Sequence, residues 1–215
     1  MIKFGLACEG PTDYAVLLNL LFGIFEELEE DDISRLQPLQ GERGGWTKLI
    51  QYITHSRFLD DLEACHYVIV QIDTDIADEA KIAVNDAEGN RLGDNDIVEN
   101  TIQVLTDLIK KAHTEHFEDI IKKVIFATSV ESIECWLINS HAVNEEDLCK
   151  HDIKCFDRLK TLMAHIGGFP TVKKKSKVYN NLTKHFYENS DSINNLKKRD
   201  ESFSLLVDTI NKCQI

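Results

Sequence analysis

Acidic residues stand at three places where this chain passes from an apolar strand into a turn. Glu9 closes the run from Ile2 to Cys8 and is followed at once by Gly10-Pro11. Asp73 and Asp75 close the run from His66 to Ile72. In an extended segment the side chains at i and i+2 point to the same face, so Asp73 and Asp75 can converge on one cation. Such hard oxygen ligands suit magnesium or manganese, and magnesium needs only one or two carboxylates beside waters and substrate phosphates. A third strand end leads into Ser129-Val130-Glu131-Ser132-Ile133-Glu134-Cys135-Trp136-Leu137. There Glu131 and Glu134, three apart on a helix, are expected to share a face towards the strand ends, with one of them joining the site. Each position has a plainer alternative: a solvated turn glutamate, an aspartate-rich cap, or first-turn charge that favours the helix dipole.

The elements that must position these groups are read from periodicity. Ile2, Phe4 and Leu6 alternate as a strand does, and past the Gly-Pro break Leu17, Leu20, Leu21, Ile24 and Leu28 recur at helical spacing, with Asp13 in the first turn. The acidic run 26–32 reads as an exposed helix end and turn. Residues 33–40 form a second strand, with Pro38 indicating a sheet edge. A flexible glycine-rich loop, 41–45, precedes a helix over 46–58. Tyr67-Val68-Ile69-Val70 and Val124-Ile125-Phe126-Ala127 are strands buried on both faces. Between them a polar loop over 76–94, with one helical turn, leads to a helix from Asp96 to about Phe117. From Glu131 on the chain is helical, with breaks at 167–170 and 189–191. Strand and helix alternate, so an α/β fold with a mostly parallel central sheet flanked by helices is expected over 1–140, and a helical basic extension over 141–215. In open α/β sheets ligands bind beyond the carboxyl ends of the strands, where Glu9, Asp73 and Asp75 fall.

Composition narrows the class. At 215 residues, 43% hydrophobic and 28% charged, the sequence has ordinary globular values, and the longest apolar run is too short for a membrane span. Without the build of a signal peptide, a cytoplasmic location is expected. Six cysteines without a CxxC pair point to reduced, buried thiols rather than a zinc site or disulfide framework. His113 and His116 lie one turn apart but lack further ligands, so a surface role is expected. No GxSxG elbow is present for a serine hydrolase. The net charge of −13 conceals a division. Residues 1–150 hold 12 basic against 30 acidic side chains, a balance of −18, and residues 151–215 hold 12 against 7, a balance of +5. An acidic front with a basic tail fits a metal-dependent site joined to a phosphate-binding segment.

Cys8-Glu9-Gly10-Pro11-Thr12-Asp13 resembles the EGxTD motif that opens Toprim domains, and Ile72-Asp73-Thr74-Asp75 resembles their strand-end DxD. Glu134-Cys135-Trp136-Leu137 is similar to an ExWL segment of RloB-like proteins, so the likeness is to small stand-alone Toprim proteins related to OLD nucleases, many associated with phage defence. It covers roughly residues 1–137, and the long acidic loop over 78–96 departs from it. The resemblance implies Glu9, Asp73 and Asp75 as catalytic metal ligands, Glu134 as a fourth, Mg²⁺ or Mn²⁺ as cofactor, and hydrolysis of phosphodiester bonds. It also implies nucleic acid as partner, DNA ahead of RNA, and an ATPase or other defence-system protein beside it.

Such a site repels nucleic acid unless cations are bound, so binding must come from elsewhere. Lys173, Lys174, Lys175 and Lys177 are the first candidates for phosphate contact and Lys197-Lys198-Arg199 the second, with Tyr179 or Tyr187 stacking on bases. The competing readings are a solvated lysine face, a non-catalytic Toprim-fold subunit binding nucleic acid or protein, and a phosphotransferase of the haloacid-dehalogenase kind. The last normally has its first aspartate on the first core strand, where this chain has Glu9.

Overall fold

The apolar β-forming runs become the strands of a parallel sheet. The computed structural model describes residues 2–149, 154–167, 171–189 and 191–213. Its elements begin β1 (Phe4–Ala7), α1 (Pro11–Ile24), β2 (Ile33–Gln37), α2 (Trp46–Ile53), α3 (Arg57–Ala64) and β3 (Tyr67–Asp73). Then follow α4 (Ala77–Ala80), α5 (Asp94–Ala112), α6 (Phe117–Lys123), β4 (Val124–Ser129) and α7 (Ile133–His141). The chain continues through α8 (Cys155–Ile166), α9 (Ser176–Thr183), α10 (His185–Glu188), α11 (Asp191–Lys197) and α12 (Glu201–Ile210). All four strands are parallel, in the order β2-β1-β3-β4. The expected α/β architecture is therefore observed, with β1, β3 and β4 as neighbours and β2 at an edge.

Register brings the strand ends level. Ala7 pairs with Val70 and Asp73 with Ser129, so the residues that follow β1, β3 and β4 emerge along one rim of the sheet. Strand alternation then sorts the side chains between two cores. Phe4, Leu6, Ile69, Ile125 and Ala127 enter the larger one with α1, α7 and the C-terminal helices. Ala7, Val68, Val70, Ile72 and Val124 enter the other, covered by α2, α3, α5 and α6.

Several boundaries depart from the sequence reading. The helix expected over 46–58 is two, α2 and α3, because Thr54 turns its hydroxyl back onto the Ile50 carbonyl (2.8 Å) and the chain turns through His55 and Ser56. The helix expected to reach Phe117 starts at Asp94 and ends at Ala112, where His113 is buried with Nε2 2.9 Å from the Ile53 carbonyl oxygen. His113 thus ties α5 to α2 and is not a surface residue. The break expected at 167–170 falls largely outside the described residues.

The C-terminal helices share the larger core. Trp136 is fully buried, donates Nε1–H to Ser202 Oγ (2.8 Å) and meets Phe203 edge to face at 5.3 Å. Asn19, buried on α1, donates to Thr183 Oγ1 (2.7 Å) and the Asn180 carbonyl (2.9 Å). Ser176 Oγ donates to the Pro11 carbonyl (2.9 Å), which fixes the start of α9 against the turn that carries Glu9. Among the described residues no helix is long and apolar enough to cross a membrane.

Candidate active site

Glu9 leaves β1 on a turn that is clamped from both sides. Its N–H donates to Gln71 Oε1 (3.1 Å) and its carbonyl accepts from Gly45 N–H (2.7 Å). The loop expected to be merely flexible therefore holds the Glu9 backbone, and its glycines have a physical reason. A Cβ on Gly44 would lie 1.9 Å from the Glu9 carbonyl oxygen, and Gly45 has φ +133°, which favours glycine. Gly44→Ala is expected to displace Glu9 and to cost about 2–3 kcal/mol, a fall in Tm of roughly 5–10 °C by thermal denaturation. An unchanged Tm would show that the loop can move aside freely.

Asp73 is the centre of the arrangement. It is buried, and its Oδ1 accepts from Gln71 Nε2 (2.9 Å) and from the Ile133 N–H (3.0 Å). Gln71, itself fully buried, thus links the Glu9 backbone to the Asp73 carboxylate through one amide. Glu9 Oε2 in turn lies 3.4 Å from the Asp73 backbone nitrogen. Although it stands at a strand end, Asp73 is buried, because α7 starts directly over the end of β3.

Glu131 and Glu134 do not share a face. Glu131 precedes α7 with φ +64°, and its carboxylate turns outwards to Arg91 (2.7 Å). Its backbone is stitched to the β3 end, its N–H donating to Thr74 Oγ1 (2.7 Å) and its carbonyl accepting from Asp75 N–H (2.8 Å). Glu134 is the one that faces inwards. It is 2% exposed, accepts a short hydrogen bond from Tyr179 Oη (2.5 Å), and pairs with Lys174 Nζ (3.1 Å). Tyr179 is therefore a buried positioning group, and the base-stacking role expected for it is ruled out by its position.

Asp13, read from the sequence only as a helix-dipole charge, belongs to the cluster. The first turn of α1 faces the strand ends and buries its carboxyl, with Thr12 Oγ1 donating to Oδ1 (3.1 Å). The signal that could have revealed it is its distance from Glu9, about one helical turn beyond the break.

The electrostatics record the crowding. Burial, then the charge of Asp13, pushes the Glu9 carboxyl up to about 7. Burial and Glu134 push Asp13 up to about 6. Asp73 is raised well above the carboxylate range by burial and by Asp13, Glu9, Glu134 and Asp75. Asp75, on the exposed side of the site, is raised by partial desolvation and Glu134, with Lys174 opposing. Desolvation lowers the Lys174 pKa, but Glu134, Asp73 and Asp13 outweigh it and hold the ammonium charged.

Asp75, Glu134 and Lys174 line a cavity of about 470 Å³ together with Glu131, Cys155 and Phe156. The carboxylates ring the centre rather than meeting at a point. Among the described residues, the one set of three or more His, Cys, Asp or Glu side chains whose ligand atoms all lie within 4.8 Å is Cys135, Cys149 and Cys155. Of the thiols expected to be reduced and buried, Cys8 and Cys65 are so, whereas Cys135 and Cys155 are joined by a disulfide, with Cys149 Sγ 3.5 Å from Cys155 Sγ.

Of the lysines expected to contact phosphate, Lys174 turns into the site while Lys173, Lys175 and Lys177 are exposed beside it. In the second basic cluster Lys198 is exposed while its two neighbours are engaged within the fold. Lys197 pairs with Asp208 (2.5 Å), and Arg199 Nη1 donates to the carbonyls of Asn139 (3.0 Å) and Ala142 (2.9 Å) at the end of α7.

Fold and site together define a parallel α/β protein with an acidic cluster on the carboxyl rim of its sheet. No family model, curated protein or solved structure matches the chain.

Proposed function

We infer that the chain is a divalent-metal-dependent nuclease or nicking subunit of the Toprim kind, hydrolysing phosphodiester bonds of nucleic acid. The observation that supports this most is the gathering of Glu9, Asp13, Asp73, Asp75 and Glu134 around one rim, five carboxyl groups against the nearby counter-charge of Lys174. That imbalance favours a cation. The donor set fits Mg²⁺ or Mn²⁺, being hard carboxylate oxygens, and two of them suffice for magnesium. Ser129 Oγ, opposite Asp73 in register, is buried and finds no hydrogen-bond partner among the described residues, so a further oxygen donor is within the same rim. Glu9, Asp73 and Asp75 are the residues that would hold the ion. When bound, it activates water and stabilises charge on the phosphate.

The chain's own groups supply the rest. Gln71 and the Ile133 N–H orient Asp73, Tyr179 and Lys174 hold Glu134, and the Gly44-Gly45 loop sets Glu9. The phage-defence setting, like the preference for DNA, rests on the motif resemblance alone. Supercoiled plasmid and single-stranded DNA and RNA, incubated with Mg²⁺, Mn²⁺ or EDTA, provide the test. Cleavage confined to the metal lanes is expected, and none with any substrate in either metal would sink the reading.

One observation favours a second reading, a binding subunit without catalysis: Glu134 is already engaged by Lys174 and Tyr179, and the carboxylates stand apart. It predicts binding without cleavage.

On either reading the exposed Lys173, Lys175 and Lys177, which flank Lys174 in the sequence, are the groups assigned to phosphate contact. Replacing all three with alanine is expected to weaken nucleic-acid binding and to flatten its log–log salt dependence by roughly one unit for each phosphate no longer neutralised. An unchanged slope would mark them as a solvated face.

A further inference from the structure

We propose that Cys135, Cys149 and Cys155 form a second metal site, for a thiophilic divalent cation of the zinc class. Their three Sγ atoms lie within 4.8 Å of one another, with Cys149 and Cys155 at 3.5 Å. Zinc–thiolate bonds of about 2.3 Å in a tetrahedral arrangement place the sulfurs roughly 3.8 Å apart, close to the Cys149–Cys155 spacing, and the Cys135–Cys155 edge, closed by a disulfide, would reach it once that bond is reduced. The disulfide takes up two of these sulfurs and the third lies 3.5 Å from one of them. A shared cation accounts for all three.

The supports are also those of a built site. Cys135 lies within α7 and Cys155 opens α8, both buried. Cys149 is set by its N–H, which donates to Asn139 Oδ1 (2.8 Å), while Asn139 Nδ2 donates to Asp200 Oδ2 (2.9 Å) at the N-cap of α12. Three ligands from separate segments are thus positioned by partners that are themselves held, as outer groups commonly hold metal ligands.

The chemistry balances. A dithiol reductant gives two electrons and two protons to convert the Cys135–Cys155 bond into two thiols and leaves as its own disulfide. The three thiols then release three protons as their thiolates bind the dication. Soft sulfur and hard carboxylate select different ions, so this site and the acidic rim would sort their metals by ligand type. They nevertheless meet in space: Cys135 follows Glu134 in α7, and Cys155 lines the same cavity as Glu134 and Lys174. A cation bound by the sulfurs would pin α7 to α8 and so fix the wall of the acidic site.

The test uses the full chain, stripped of metal, reduced with a phosphine and titrated with Co²⁺ as an optical probe. A thiolate-to-cobalt charge-transfer band that saturates at one ion per chain and is bleached by Zn²⁺ is expected. Cys149→Ser, at a partly open position, should weaken cobalt binding at least tenfold while leaving the fold unchanged. Cys65→Ser and Asp73→Asn should not alter the band, which separates this site from the carboxylates. Absence of the band in the reduced parent, or its full retention in Cys149→Ser, overturns the proposal. So does peptide mapping that finds the bond shuffling between Cys135–Cys155 and Cys149–Cys155 with no metal bound, since the triangle would then be a thiol–disulfide exchange device.

Discussion

Asp73→Asn is expected to reduce metal-dependent cleavage by at least a thousandfold while the protein remains folded. The choice of asparagine follows from the geometry. Asp73 Oδ1 accepts from the Ile133 N–H and from Gln71 Nε2, and an asparagine carbonyl can accept both. Alanine would leave two buried donors without partners, at a cost of about 1–3 kcal/mol each, and lost activity could then be lost structure. The amide removes the charge that the ion requires and little else. A thousandfold change corresponds to about 4 kcal/mol of transition-state stabilisation, within what a ligand to a Lewis-acidic ion contributes. Glu9→Gln should act in the same direction. Cleavage by Asp73→Asn at the parental rate, with circular dichroism unchanged, would remove the acidic rim from the chemistry and favour the binding reading.

Without divalent metal the protein is expected to become less stable as pH rises from about 5 to about 8, and Mg²⁺ should reverse most of that loss. Glu9 and Asp13 have folded-state pKa values raised to about 7 and about 6 by burial, with the charges of Asp13 and of Glu134 respectively adding to it. Between the unfolded value, about 4, and these raised values, the native state binds more protons than the unfolded chain, so stability falls as pH climbs. The contribution is fully present below about pH 4 and gone above about pH 7. At about 1.4 kcal/mol per unit, Asp13 alone is worth on the order of 3 kcal/mol, or several degrees in the Tm of a protein this size. Scanning calorimetry at pH 5 and pH 8, in EDTA and in millimolar Mg²⁺, reads the effect. The stabilisation by Mg²⁺ should be larger at pH 8, and Glu9→Gln should flatten the metal-free profile. A metal-free Tm that stays level or rises with pH would mean that the carboxylates are far less crowded than their positions imply.

What was legible in the sequence was whatever obeys a local period. The runs that became β1, β3 and β4 announce themselves by unbroken β-forming residues, and parallel order follows from strand–helix alternation. Glu9 and Asp73 could be picked out because strand ends carry sites in such sheets. Asp13 carried the right residue type, but only the packing of α1 against the rim turns a surface-looking charge into a buried one. Glu131 was misread because its positive φ breaks the helical spacing assumed between it and Glu134, and nothing in the local pattern signals that backbone state. Tyr179 and Lys174 depend on contacts with a helix far back in the chain, and the sulfur triangle on how α8 packs against α7, neither of which periodicity encodes.

The bonds that join α9 to α1 span 161 to 165 positions. In biosynthesis this becomes an interval of time. At about 5–20 residues per second a ribosome makes the Glu9 turn roughly 10–30 s before the segment that carries Lys174 and Tyr179. Throughout that interval the apolar face of α1, with Leu17, Leu20 and Leu21, has no C-terminal helices to cover it, and Glu134 has neither of its partners. On the nuclease reading, the wall that Glu134 forms beside the metal-holding carboxylates therefore sets only after the segment with Lys174 and Tyr179 has been made.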